Sequence, residues 1–214
     1  MNTRALTAEF IGTFALIFIG AGAGAIGIGG LVGVALAHGL VVLGFAYAYG
    51  HISGTHINPA VTTAVLVAGE IDASTAVQYW VAQLLGGTAG AFALAHALGG
   101  MPNDLGATML AEDVSLGQGF LVEFVLTFFL ANAVLNCAIS GKAGNLAGVA
   151  IGMTLVFCIL MGGPLTGASL NPARTLGPAI ATGHMDNLWM YFVAPMSGGA
   201  AAALLYKGLF KSTD

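Results

Sequence analysis

Ser53-Gly54-Thr55-His56-Ile57-Asn58-Pro59-Ala60 and Thr166-Gly167-Ala168-Ser169-Leu170-Asn171-Pro172-Ala173-Arg174 are two versions of one stretch, and each lies within an apolar region. Asn before Pro is a helix start. Asn58 and Asn171 cap, while Pro59 and Pro172 take the first helical position, where the missing N–H would be unpaired in any case. Ala60 and Ala173 complete the two Asn-Pro-Ala boxes. Backbone that leaves a helix at membrane depth is not tolerated against lipid, so both starts must line a cavity. Matched interrupted segments in the two halves of a chain point to a passage at the midplane.

Composition puts those boxes in a bilayer. Of 214 residues, 57 % are apolar and only 7 % charged, where a soluble domain carries about 25 % charged. The mean hydropathy is +0.92. A span takes about 20 apolar residues, which leaves room for six and little else. The apolar runs predict spans over Ala5–Ala25, Leu31–Tyr49, Thr75–Leu98, Leu116–Ile139, Leu146–Met161 and Leu188–Leu209, with half-helices starting at Pro59 and Pro172. Met1–Thr7 lacks a cleavage pattern, so the first span is expected to be retained. Arg4, Lys142, Lys207 and Lys211 then fall on one side, which the positive-inside rule makes cytoplasmic together with both termini. The outer link Gly99–Ser115 carries acids and no Lys or Arg. Arg174 is the remaining basic residue and falls in the membrane domain, where an Arg is costly and hence a functional candidate. No basic cluster suits nucleic acid, no His, Cys and Glu set has metal-ligand spacing, and no cofactor is expected. Cys137 and Cys158 read as buried free thiols.

The halves repeat. Glu9-Phe10-Ile11-Gly12-Thr13 matches Glu123-Phe124-Val125-Leu126-Thr127, 114 residues later, and Asn171 follows Asn58 by 113. Each half has three spans and one half-helix, and three is odd, so the second half enters from the opposite face. The expected fold is an all-α membrane protein: six transmembrane helices and two re-entrant half-helices in an inverted 3+3 repeat. It forms one channel domain over 1–214, with repeats at about 1–100 and 115–214 joined by a linker at about 99–115.

The two boxes, the Arg after the second, the Glu-x-x-x-Thr of each half and His51-Ile52-Ser53-Gly54-Thr55-His56 resemble the aquaporin (major intrinsic protein) family over nearly the whole chain. The resemblance implies a homotetramer of hourglass monomers in the lipid bilayer, each with its own pore for water and small neutral solutes, and no enzyme activity. In such a pore the half-helices aim their positive ends at one point, each worth about half an elementary charge. Cations, hydronium included, meet a barrier there. The carboxamides of Asn58 and Asn171 can donate to a central water and so interrupt a proton wire. Glu9 and Glu123 are expected to accept hydrogen bonds from their re-entrant loops, with His51 and His56 also bracing a loop or bordering the pore. A pH gate through His51 or His56 is an alternative.

In this family four positions set the constriction, and spacing from the boxes places them at His38, Ile159, Ala168 and Arg174. These choices resemble the plant tonoplast intrinsic proteins. Ile159 and Ala168 give a wider, more one-sidedly apolar ring than a strict water filter, and His38 returns a polar wall. Water is the expected main permeant, with ammonia, hydrogen peroxide or urea as secondary ones. Thr175 stands where glycerol facilitators usually have Asp, which disfavours the alternative of a dedicated glycerol channel. Arg174 would repel cations and offer donors, its fork held by loop carbonyls. A secondary active transporter is the alternative of another class. Short loops predict the plasma (inner) membrane, whereas the constriction suggests a vacuolar membrane.

Overall fold

The computed structural model describes residues 2–211. Six helices in it are long and apolar enough to cross a membrane: α1 (Thr3–Ile26), α2 (Gly30–Ser53), α4 (Ala73–Leu98), α5 (Leu116–Ile139), α6 (Gly144–Thr166) and α8 (Leu188–Phe210). Two shorter helices follow the boxes, α3 (Pro59–Ala68) and α7 (Pro172–Thr182). No strand occurs among the described residues. Every predicted span is present, but two run further than the hydropathy indicated. Helix α2 ends at Ser53 rather than Tyr49, and α6 at Thr166 rather than Met161. Both helices close on a hydroxyl, Ser53 or Thr166, that donates to a buried carboxylate rather than to water.

Three helical stretches widen into π turns that the sequence did not announce: Leu16–Ala21 in α1, Val134–Ile139 ending α5 and Tyr206–Phe210 ending α8. A π turn reflects what a helix packs against, so local propensity carries little trace of it.

The helices pack pairwise by repeat, α1 on α4 and α5 on α8, and the repeats lock crosswise through α4 with α7 and α3 with α8. The crosswise contacts are backbone-close. A Cβ added to Gly87 of α4 would lie 2.7 Å from the Ala173 carbonyl oxygen, and one added to Gly199 of α8 would lie 2.6 Å from that of Ala60. Each box alanine is therefore seated on a bare glycine of the other repeat, as small residues permit in membrane helices.

The basic residues gather at one end. Arg4 shares a groove with Tyr49 and Ile52 at the end of α2. Tyr47 donates to the Asn145 carbonyl, three residues past Lys142. Lys211 pairs with Glu70 at the end of α3, 2.7 Å apart. The opposite end carries the contact between His184 and Asp104. Side chains such as Leu40, Leu85, Phe92, Phe157 and Leu204 are exposed around the bundle, as a lipid-facing surface requires.

Candidate pore

Both Asn residues cap as their sequence context predicts. Asn58 Oδ1 accepts from the N–H groups of Ala60 (2.8 Å) and Val61 (3.4 Å), and Asn171 Oδ1 from those of Ala173 (3.0 Å) and Arg174 (3.3 Å). The carboxamide nitrogens do something that sequence did not suggest. Asn58 Nδ2 donates to the Leu170 carbonyl at 2.8 Å, and Asn171 Nδ2 donates to the Ile57 carbonyl at 2.9 Å. Each asparagine ties its helix start to the other repeat's loop. One amide hydrogen of each is thus committed, and one is left for the cavity.

Those loops hold an unusual backbone. Thr55 (φ 50°) and Ile57 (φ 42°) in the first, and Ala168 (φ 45°) and Leu170 (φ 54°) in the second, are left-handed without being glycine. A β-branched residue there is strained, at about 1–3 kcal/mol each. Alternating handedness turns successive N–H groups to one side and forms a cradle for an anion. The anions are Glu9 and Glu123, both fully buried. Glu9 accepts from the N–H of His56 (2.9 Å) and Ile57 (2.6 Å), the Ser53 hydroxyl (2.7 Å) and Gln83 Nε2 (2.7 Å). Glu123 accepts from the N–H of Ser169 (2.9 Å) and Leu170 (2.8 Å) and the Thr166 hydroxyl (2.7 Å). The carboxylates thereby hold the strained loops, whose carbonyls in turn receive the asparagines.

The loop histidines part company. His56 is buried, with its N–H on Glu9 and Nδ1 3.1 Å from the Thr62 hydroxyl. That hydroxyl sits 3.1 Å from the Asn58 carbonyl, to which it donates. It is therefore left to accept from His56 Nδ1–H, which leaves His56 Nε2 as an acceptor. His51 was expected to brace a loop and does not: it is exposed on the last turn of α2 and makes no side-chain hydrogen bond among the described residues. It borders the mouth of the cavity instead.

One cavity of about 580 Å³ joins these features. Its lining runs from Tyr47, His51 and Asn145 past His56, Asn58 and Asn171 to His38 and Arg174. From Ser53 to His38 the α2 axis rises about 22 Å, most of a hydrocarbon core about 30 Å thick. No residue of the outer link Gly99–Ser115 lines it. The cavity closes at the level of His38 and Arg174.

Both residues present unpartnered nitrogens there. His38 is 3 % exposed, with Nδ1 on the Val34 carbonyl at 2.9 Å. Its Nε2 has no partner, and neither have Nε and Nη1 of Arg174. The expectation that loop carbonyls hold the Arg174 fork is thus corrected for Nε and Nη1. With Nδ1–H on a carbonyl, His38 Nε2 is an orphaned acceptor and the two Arg174 nitrogens are orphaned donors; such buried groups are expensive, and a polar solute or water in transit could pair with both kinds. Ile159 and Ala168 are each 2 % exposed and do not line the open cavity. Ile159 is on α6, which packs along α2, and Ala168 is in the loop before the second box. Cys158 and Cys137 line no part of the cavity.

Sequence reasoning missed two participants. Gln83 adds a fourth donor to Glu9, and the Thr108 hydroxyl of the outer link lies 2.7 Å from that of Thr175. Thr175 lies 2.6 Å from Ser169 in turn. The signal for Gln83 was an amide deep inside an apolar span, five residues beyond Gln78. Thr108 gave none.

The family described as Major intrinsic protein matches residues 1–206. A probable aquaporin TIP3-2 of Arabidopsis thaliana is 41 % identical, over 96 % of this chain and 83 % of its own length. A glycerol uptake facilitator protein-like 6 of Lactiplantibacillus plantarum is also 41 % identical, over 94 % of this chain and 95 % of its own. The X-ray structure of the aquaglyceroporin from Plasmodium falciparum superposes with a TM-score of 0.88 at 27 % identity, covering 98 % of this chain and 97 % of that one.

Proposed function

This chain belongs to the major intrinsic protein family of membrane channels, and from that premise we propose that it is a passive pore whose main permeant is water. Ammonia, hydrogen peroxide or urea follow as secondary permeants, and protons and ions are refused. The observation that carries the reading is the single cavity that passes both capping asparagines and ends on unpartnered nitrogens of His38 and Arg174. Neutral molecules can pair with those nitrogens one at a time. A cation meets Arg174 and the positive ends of α3 and α7. His38, Ile159, Ala168 and Arg174 form the constriction in this reading, and both termini face the cytoplasm of a plasma (inner) or vacuolar membrane. The working assembly is a homotetramer.

A glycerol facilitator is the second reading, favoured by the glycerol facilitator-like relative and the aquaglyceroporin neighbour. Thr175 weighs against it. Its hydroxyl is occupied by Thr108 and Ser169 rather than free to take a polyol. A coupled transporter would need a charge facing the cavity besides Arg174, yet Glu9 and Glu123 are spent on their loops and neither lines it.

The test compares water, ammonia, urea, hydrogen peroxide and glycerol permeabilities of the purified protein in liposomes. Swelling should follow the osmotic gradient alone and ignore uncouplers. His38→Phe with Ile159→His should suppress ammonia and urea flux by about tenfold while sparing water. Unchanged solute flux in that variant would overturn the constriction, and uncoupler-sensitive flux would overturn the channel.

A further inference from the structure

We propose that Gly20 is a positioning residue for solute selectivity: it is the floor on which the His38 imidazole lies, and its missing side chain sets how far that ring projects into the pore. The inference rests on the reading of His38 as a wall of the constriction.

Gly20 is a buried residue of the π turn Leu16–Ala21 of α1, and Leu16 of the same turn lines the cavity. A Cβ built on Gly20 would stand 2.7 Å from His38 Cδ2 and 2.8 Å from both Cγ and Nε2. Three ring atoms at nearly one distance mean that the ring lies flat over the glycine. Carbon contacts settle near 3.5–4.0 Å, so a methyl group at this position displaces the ring by about 1 Å. The ring has little choice of direction. Nδ1 is held on the Val34 carbonyl at 2.9 Å. The next residue, Gly39, is pressed on α6, where a Cβ would come within 2.6 Å of the Gly152 carbonyl oxygen. Helix α2 therefore cannot back away. The open side is the cavity, where Arg174 waits with unpartnered Nε and Nη1.

The other repeat supplies a contrast. The residue 114 positions after Gly20 is Val134, the first residue of the π turn Val134–Ile139, and it lines the cavity itself. Where the second repeat fills this place with its own side chain, the first leaves it bare and lays an imidazole over it. A π turn is a common device for re-aiming a helix at a functional site.

Four proteins are compared in liposomes: wild type, Gly20→Ala, His38→Ala and the double variant. Gly20→Ala should lower urea and ammonia permeability by about fivefold or more, and water permeability by less, because the larger solutes feel a narrowed ring first. His38→Ala should raise solute flux, and the double variant should match His38→Ala, since the added methyl then has no ring to move. A merely structural glycine would not have its loss cancelled by removing His38. If His38→Ala leaves solute flux unchanged, the constriction reading itself fails. If His38→Ala responds but Gly20→Ala matches wild type, or keeps its loss in the double variant, the Gly20 proposal alone fails. Gly20→Ala that assembles only when His38 is also removed would show that the ring has no room on the pore side, and would overturn the proposal as well.

Discussion

At the residue scale, each box asparagine performs three tasks with one carboxamide: its oxygen caps a half-helix, one amide hydrogen ties down the opposite loop, and the other faces the cavity. Asn58→Asp separates them. Aspartate caps as well as asparagine does, so α3 should still start at Pro59. It cannot donate to the Leu170 carbonyl, and it places a carboxylate where the two positive helix ends meet. The barrier to cations should fall, so liposomes carrying Asn58→Asp should dissipate an imposed pH gradient faster than wild type while still swelling. A gradient held as long as in wild type would mean that proton exclusion lies elsewhere, at Arg174. The capping was legible in Asn-Pro alone because it is local. The crossed ties to Leu170 and Ile57 were not, because they join residues 112 and 114 apart. The orphaned nitrogens of Arg174 were equally hidden, since an absent partner has no sequence signal.

At the scale of elements, hydropathy marked the six spans because lipid demands about 20 apolar residues whatever the neighbours. It fell short at the C-terminal ends of α2 and α6, which run on until Ser53 and Thr166 reach Glu9 and Glu123. At the exposed start of α4 a cap sets the boundary two residues before the predicted Thr75. Asp72 precedes α4 and accepts from the Thr75 N–H at 2.8 Å and from its hydroxyl at 3.0 Å. The Thr75 N–H, and then its hydroxyl, hold the Asp72 carboxyl below its usual range. A carboxyl with a depressed pKa contributes stability above its unfolded value, near 3.8, and loses it as the pH falls through the lower folded value. Asp72→Ala should therefore unfold at a lower temperature than wild type at pH 7, with Asp72→Asn close to wild type. The gap between Asp72→Ala and wild type should shrink below about pH 4. Thermal unfolding in detergent across that range is the measurement, and a gap that stays constant would remove the cap from the account of how α4 starts.

At the scale of the molecule, the two repeats are interlocked rather than merely apposed, and this bears on why the pore is passive. A transporter works by rocking one repeat against the other around a fixed site. Here the box of each repeat is seated on the third span of the other, Ala173 on Gly87 and Ala60 on Gly199, at backbone distance. The asparagine ties cross the same interface in both directions. Rocking would break all four contacts at once. The interlock should therefore behave as one rigid unit under mutation. Gly87→Ala and Gly199→Ala each force a carbonyl away from its seat and should each cost about 1–3 kcal/mol through overpacking. Each should also lower water flux, because each moves the start of a half-helix that lines the pore. The two sites share an interface through the crossed asparagines, so the double variant should depart from additivity by more than the ~0.5 kcal/mol typical of independent sites. Unfolding in detergent gives the energies and stopped-flow swelling gives the flux. Strict additivity with water flux untouched would mean that the halves are independent bodies, and the case for a rigid, uncoupled channel would have to be made from the cavity alone.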